Sequence, residues 1–539
     1  MPVFPAAALR WKAAAVLGGT AAFGSLLYLD TSNKTLGVKR NLKFWVRAFP
    51  MYLHYRVTEE LVKGKTDEEA AAAYNALHDR YAQPAVDLCL DMGGYFFKSA
   101  QLVSTRDEFV PHQYMKWLKG LQDRAPPQRS AEEVKQLVRE SLQCPPDALF
   151  SHFEDVAIGA ASVGQVHRAR LKSGEDVAVK IMYPNVETLF RADMRIITNF
   201  CWLAMPHHLP ALREIEKQFL SEFDYVREAA NLKTIANALN SHPYYRSRVF
   251  VPQPFPHLCT REVLIMEWVP GEKLVDGLRR CWQPVAARRG ISVETLEAEE
   301  RARIKRDGLA SAASASLRSR LLKVYLFSSG LAHNALAMVY NSVFVPLARC
   351  QPLALRALTA PPDLPGLLQL LLDVHGYEIF HVGCFNGDPH PGNILLMPDG
   401  RLGLIDYGSC VTLSKEHRKT LARLMLSLLG PSPAEESVVK VYSEEMGVRT
   451  KNMDPRILYK MAAFWYDRDT HDVTEGMNVH TFTEWLHAQD PVTSLPDEYV
   501  MPGRVSVLLR GMGAAFGIRL HTAHAWGPHA RRILEGSSS

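Results

Sequence analysis

Residues 385–408, FNGDPHPGNILLMPDGRLGLIDYG, constrain the fold of this chain more than any other stretch. Pro398-Asp399-Gly400 lies between two short apolar runs and predicts a hairpin turn. At the base of that hairpin stand Asp388, Asn393 five residues later, and Asp406 thirteen residues after that. A closed strand pair holds these oxygen donors on rigid backbone. Carboxylates and an amide oxygen on such a frame are hard ligands of the kind Mg²⁺ prefers.

The same spacing, an acid five residues before an Asn and then an Asp-x-Gly, is that of the kinase catalytic loop and its metal-binding tripeptide. Phosphoryl transfer needs an acid near the attacking oxygen, and oxygen ligands that hold Mg²⁺ against the phosphates. Other parts occur upstream in the right order. VAVK ends a predicted strand at Lys180, and Glu216, Glu222, Asp224 and Glu228 lie on a following helical stretch, 212–239. MEWV (266–269) closes an apolar strand before Pro-Gly, which suits a hinge whose backbone, from Glu267 to Val269, binds adenine. One part is missing. Where a G-x-G-x-x-G loop is expected before Lys180 the chain reads IGAASVGQVHRA, with Ala160 and Ala161 in place of glycines that would let backbone approach phosphates.

The rest of the chain frames this site. With 539 residues, 47% of them apolar and 22% charged, it has material for two globular units and a large core. A net charge of +5 is nearly neutral for this length and argues against a nucleic-acid binder. The eight cysteines are scattered without metal-ligand spacing and read as reduced thiols. No acid precedes Asp30, and Arg10 and Lys12 lead into an apolar run at 13–29 followed by further basic residues. That pattern suits a mitochondrial presequence merging into a membrane anchor; a secretory-pathway anchor and a buried helix are its rivals. Residues 66–150 have helical periodicity, with Thr66 and Ser130 as N-caps. VGQVHRARL, EDVAVKIMY and REVLIMEWV read as strands, and helices dominate beyond 367. Residues 306–366 begin in an Ala/Ser run and end Pro-rich, and read as a flexible low-complexity insertion.

Taken together, GAASVGQVHRA, VAVK, SEFDYVREAAN, MEWVPGEKL and DPHPGNILL…LIDYG resemble the UbiB/ADCK family of atypical kinase-like proteins, the aarF-domain-containing kinases. GGYFFKSAQLVSTRDEFVP (93–111) is similar to the family's K-x-G-Q segment, with Lys98 and Gln101 in place and Ala100 for the Gly. The match covers roughly 85–305 and 367–430, and the N-terminal anchor with YLDTSNKTLGVKRN is similar to the mitochondrial branch named aarF-domain-containing kinase one. The resemblance implies an α+β, two-lobed protein-kinase-like fold with an N-terminal helical K-x-G-Q extension and a short membrane anchor. The implied division is an anchor at 1–35, the extension at 36–150, an N-lobe at 151–270 and a C-lobe at 271–539.

The resemblance also implies roles. ATP phosphates would meet Lys180 and the loop Ala160, Ala161, Ser162 and Val163, with Glu222 or Glu228 as the ion-pair partner of Lys180. Asp388 would be the catalytic-loop acid, and Asn393 and Asp406 the Mg²⁺ ligands. Lys98, Gln101 and Asp224 would regulate, the extension packing across the cleft where a protein substrate would otherwise lie. The activity implied is that of an ATPase or a kinase of a lipid or quinone-like small molecule, at a mitochondrial membrane, the inner one, with mitochondrial protein partners. A nucleotide-binding scaffold without turnover is the alternative. A metal hydrolase using Asp388, His390 and Asp406 is a third reading, set against a turn role for His390 between two prolines. Asn386 and Gly387, where the family commonly has His and Ala, place the rigidity of the loop in question.

Overall fold

The computed structural model describes residues 34–104, 111–118, 129–160, 163–204, 209–429 and 435–536. The N-terminal run at 13–29, Ala161, Ser162 and the side chains of Lys98 and Gln101 lie outside the described residues. Two compact units emerge: the chain up to Tyr225 with His257–Ile265, and Val226–Pro256 with Met266–Ser539.

The first unit opens with helices α1 (Lys34–Leu61), α2 (Asp67–Met92), α3 (Gly94–Ser104), α4 (His112–Leu118) and α5 (Ala131–Leu142). Two of their starts are fixed by reciprocal caps: Thr66 with Glu69, and Ser130 with Glu133, each satisfying backbone N–H groups that a helix start leaves without partners. The helices share a core with the strand-bearing part of this unit. Phe44, Ala48, Leu88, Met92 and Phe96 close over Ile196 of α6 (Val186–Ala204). Arg40 of α1 grips the buried Asp193 of α6 through both carboxylate oxygens, at 2.6 and 2.8 Å. Burial pushes the Asp193 carboxyl up to about 6, against the opposing pull of Arg40.

The sheet of this unit runs β1 (Phe150–Phe153), β3 (Gly164–Leu171), β4 (Asp176–Met182), β6 (Val263–Glu267), with β2 (Gly159–Ala160) on β3; the last residues of β6 continue into the second unit. The three stretches read as strands form β3, β4 and β6. The helical stretch at 212–239 is interrupted, however. It divides into α7 (Leu209–Leu220), a single 3₁₀ turn at Ser221–Phe223, an extended Asp224 and α8 (Tyr225–Ser241). Arg261 holds the break open: its Nε donates to the Phe223 carbonyl at 3.3 Å, and its own carbonyl accepts from the Tyr225 N–H at 3.2 Å.

The second unit contains a four-stranded sheet, β5 (Val249–Phe250), β11 (Leu402–Leu404), β10 (Ile394–Leu396), β7 (Glu272–Lys273), and a pair formed by β9 (Cys384–Asn386) and β12 (Cys410–Thr412). Helices α9 (Leu274–Arg289), α10 (Val293–Asp307), α11 (Ala312–Ala348), α12 (Leu364–Tyr377), α13 (Lys415–Leu428), α14 (Pro455–Tyr466), α15 (Val479–Gln489), α16 (Asp497–Ala515) and α17 (Thr522–Glu535) supply the rest of its framework. Its core includes Leu371, Val374, Leu421, Met425, Phe464 and Trp526, the last donating its indole N–H to the Leu372 carbonyl at 2.9 Å. All eight cysteines are free thiols.

The structure corrects the reading of 306–366 as a flexible insertion. Ser311 caps α11 by accepting from Ser314 N–H, and one continuous helix then runs from Ala312 to Ala348. Alanine is the best helix former, so a run that is low in complexity is also high in helix propensity. The chain returns as an extended strap pinned to α11. Asn341 accepts from the Leu353 N–H at 2.8 Å and donates to its carbonyl at 2.9 Å, and Asn334 does the same for Arg356 at 2.7 and 2.9 Å.

Candidate functional site

The residues singled out from the sequence fall in both units. In the first, β3 and β4 pair antiparallel with Val166 opposite Lys180 and Gly164 opposite Met182. A Cβ on Gly164 would stand 2.1 Å from the Ile181 carbonyl oxygen, so only glycine permits this approach. Ala160 pairs with Gln165, and the Val163 carbonyl accepts from Tyr183 N–H at 2.9 Å. Lys180 lies 5.0 Å from the centre of the Tyr225 ring, a cation–π distance. Glu222 lies in the 3₁₀ turn and Asp224 in the extended break, both partly exposed. The Gln and His of SVGQVHRA, not assigned a task from the sequence, are buried: the Gln165 amide meets His167 Nε2 at 2.8 Å and bonds both backbone groups of Arg129, at 2.8 and 3.2 Å. They fix where the segment before α5 meets β3.

In the second unit the hairpin forms as read. Ile394 faces Leu404, Leu396 faces Leu402, and Gly400 turns the chain with φ +86°. Ile405 N–H donates to the Asn393 carbonyl at 3.2 Å, which sets Asn393 beside the residue before Asp406. His390 makes a turn: its N–H donates to the Asp388 carbonyl at 2.7 Å and its Nδ1 accepts from Gly392 N–H at 3.1 Å. Glu228, on α8 and only 3% exposed, meets the tripeptide at Gly408. A Cβ there would lie 3.3 Å from Glu228 Oε2 and 3.4 Å from Asp406 Oδ1, so the two carboxylates share the space glycine leaves. Glu267 accepts from Gln253 N–H through Oε2 at 2.8 Å and donates its own N–H to the Gln253 carbonyl at 2.9 Å. Val269 is buried against Gly403.

Asn386 has the opposite effect on the loop from the one its sequence suggested. Its Oδ1 accepts from Asp388 N–H at 2.9 Å and its Nδ2 donates to the Asp406 carbonyl at 3.0 Å, so one side chain ties both acids' backbones together. Asn386 N–H donates in turn to Glu378 Oε2 at 3.2 Å, while Tyr407 O–H donates to Glu378 Oε1 at 2.9 Å. Glu378 has no exposed surface, and burial pushes its carboxyl up to about 8. Asn231 Nδ2 holds the Tyr407 carbonyl at 3.2 Å, and Arg504 of α16 approaches Asp388 at 3.8 Å. His375, whose burial lowers it to about 4 and keeps it neutral, lines a small cavity behind Asn393 and Asp406. Sequence reasoning missed Glu378, Asn231 and Arg504. One signal was there: a tyrosine between Asp406 and Gly408 carries a hydroxyl that needs a partner once buried.

Gly387 is required by space. A Cβ would stand 2.6 Å from Met501 Cε and 2.8 Å from the Ser409 carbonyl oxygen, which already accepts from Gly387 N–H at 3.0 Å. Gly387→Ala is expected to destabilise the protein by about 1–3 kcal/mol through overpacking. A urea midpoint shifted by less than the error of the titration would show that the loop yields freely.

Among the described residues no group of three or more His, Cys, Asp or Glu is arranged to hold a metal. Mg²⁺ does not need one, because it keeps several waters and takes one or two carboxylates plus substrate phosphates. The carboxylate of Asp406 and the amide oxygen of Asn393 have the donor chemistry for that role.

Residues 120–327 and 356–438 match the model of the ABC1 atypical kinase-like domain. The unmatched interval is the far part of α11 and the start of the strap. The chain is 26% identical over 344 residues to the chloroplastic protein Activity of bc1 complex kinase 1 of Arabidopsis thaliana, covering 62% of this chain and 38% of that protein. It is 26% identical over 398 residues to AarF domain-containing protein kinase 1 of Gallus gallus (70% and 59%), and 34% identical over 194 residues to probable protein kinase UbiB of Pseudomonas aeruginosa (34% and 36%). The chain thus spans between about a third and three fifths of the length of these relatives. With the family model matching more than half of its residues, the chain belongs to the ABC1 atypical kinase-like family.

Proposed function

We propose that the protein binds ATP with Mg²⁺ and uses it as an ATPase or as a phosphotransferase for a lipid or quinone-like molecule. The observation that carries this reading is the rigid set Asp388, Asn393 and Asp406, two of them locked together by Asn386 at the base of one hairpin. In this reading Asn393 and Asp406 hold the cation, and Asp388 accepts the proton of the attacking hydroxyl or water. Bound Mg²⁺ supplies charge neutralisation on the phosphates. Arg504 stands 3.8 Å from the Asp388 carboxylate and helps to aim it. Lys180 meets the phosphates, with Ala160 to Val163 covering them and the stretch Glu267 to Val269 receiving adenine. Glu222 or Glu228 is the partner of Lys180, and Glu228 also screens Asp406 across Gly408. Lys98, Gln101 and Asp224 tune nucleotide choice. A mitochondrial location at the inner membrane rests on the acid-poor, basic N-terminus, and a role in ubiquinone or lipid homeostasis rests on the family resemblance.

The test is ATP turnover by the full chain with Mg²⁺, alone and with a panel of phenolic quinone precursors and phospholipids, beside nucleotide binding by calorimetry. Turnover abolished by Asp388→Asn, with binding retained, is the expected result. Tight binding without turnover under every condition would replace the enzyme by the scaffold, and no binding at all would remove both.

A further inference from the structure

From Val324 to Ala348 α11 carries no Lys, Arg, Asp or Glu. At 1.5 Å per residue that stretch is about 37 Å long, more than the hydrocarbon thickness of a bilayer. Among the described residues α11 is the one helix long and apolar enough to cross a membrane, and almost none of it is buried. Leu331, Leu336, Val339, Val343, Phe344 and Leu347 all stand in the open, Leu336 and Leu347 at 71% and 79% exposure. A helix in the core of a soluble domain hides such residues.

Its polar groups do the reverse of what a water-facing helix would do. Ser328 and Ser329 return their hydroxyls to the carbonyls of Val324 and Leu326, at 2.9 and 3.3 Å. Asn334 and Asn341 are spent on both backbone groups of Arg356 and Leu353, and His333 meets the Ala354 carbonyl at 3.2 Å. Tyr340 O–H reaches Cys350 Sγ at 3.1 Å. Within α11 the helical backbone and these side-chain groups are thus satisfied from within over a surface that is otherwise apolar, which is the condition for contact with hydrocarbon. The charges sit at the ends. Arg318, Arg320 and Lys323 are exposed on the turns before the uncharged stretch, and Arg349 is exposed just after it. Cations flanking an apolar helix are complementary to anionic headgroups.

We infer that α11 and its strap form a membrane-docking element that inserts its apolar flanks into the interface of an anionic lipid bilayer. The element lies in one leaflet. A full crossing would carry Arg349 and the extended backbone of the strap through hydrocarbon, where an irregular segment finds too few partners. This docking is independent of the nucleotide chemistry above, and most of its apolar stretch, from Ser328 to Ala348, lies in the interval that the family model does not match.

Vesicles of phosphatidylcholine and phosphatidylglycerol bearing a photoactivatable acyl chain provide the test on the full chain. Trypsin cuts after Lys323 and Arg349, so residues 324–349 leave as one peptide, and its adducts are separable from any on the N-terminal run. Acyl adducts on that peptide are expected, lowered roughly tenfold in Leu336→Glu/Val339→Glu/Phe344→Glu and severalfold with phosphatidylcholine alone. If the triple variant unfolds, Arg318→Ala/Arg320→Ala/Lys323→Ala takes its place, its adducts being read on the longer tryptic peptide 307–349, with the same severalfold drop expected. Adducts only elsewhere, or equal labelling in the variant and wild type, overturn the inference. So does a wild-type dimer in sedimentation that the triple variant abolishes without any lipid adduct, which would assign the face to a second copy.

Discussion

Asp406→Asn is expected to lower Mg²⁺-dependent ATP turnover by roughly 100-fold or more with little change in thermal midpoint. In the proposed site the substitution removes one negative charge where a cation would neutralise phosphate. It keeps an oxygen able to accept the Gly408 N–H, which Asp406 Oδ1 now does at 3.1 Å, and it leaves the Asp406 carbonyl on Asn386 untouched. Stability and activity should therefore separate. Asp399→Asn, on the exposed turn of the same hairpin, is the control and should turn over like wild type. Wild-type rates for Asp406→Asn at saturating Mg²⁺ and ATP would remove Asp406 from the metal site.

The second large effect is one of pH. Glu378 is wholly buried, and its carboxyl is raised from the ordinary 4.5 to about 8 by loss of water. The folded protein then keeps a proton that the unfolded chain has already lost between these values. Unfolding releases it, so stability is full below about pH 4.5, falls as pH rises towards 8, and is flat beyond. The slope from one such group is about 1.4 kcal/mol per pH unit at most. Glu378→Gln mimics the protonated acid, its oxygen accepting from Asn386 N–H and its amide donating to Tyr407 Oη. The variant should match wild type near pH 5 and be more stable near pH 8, as measured by urea titration at both. Parallel pH profiles for the two proteins would show that Glu378 is ionised in the fold.

How far the site was legible follows from chain distance. Asp388, Asn393 and Asp406 are joined by one hairpin whose turn is spelled out in Pro-Asp-Gly, so local chemistry brings them together. Glu378, Asn231 and Arg504 reach the same loop from other elements, and no periodicity announces a partner that tertiary packing supplies. The break between Glu222 and Glu228 was hidden for a related reason. Arg261, itself far along the chain, breaks the helix between them and takes Glu222 out of the helical frame. Strands β3, β4 and β6 were readable because β-branched runs bounded by Gly and Pro have few other folds. α11 is hidden in the sequence because its Ala/Ser entry reads as low complexity, and His333, Asn334 and Asn341 show no task there. In the structure they are the bonds that hold the strap.

The anchoring of Tyr407 also decides how this protein can be switched. Many kinases turn off by swinging the Asp-x-Gly tripeptide, the middle side chain leaving its pocket. Here that swing would strip the hydroxyl from Glu378, both carbonyls from Asn386 and Asn231, and a ring with 1% exposure from the core. Three hydrogen bonds and a buried ring are worth roughly 5 kcal/mol, which leaves fewer than about one molecule in a thousand in the swung state. An inhibitor that selects a displaced tripeptide would find almost no receptor, and if the proposed nucleotide chemistry holds, its control falls on nucleotide access or on the approach of substrate, with Asp406 held in one pose.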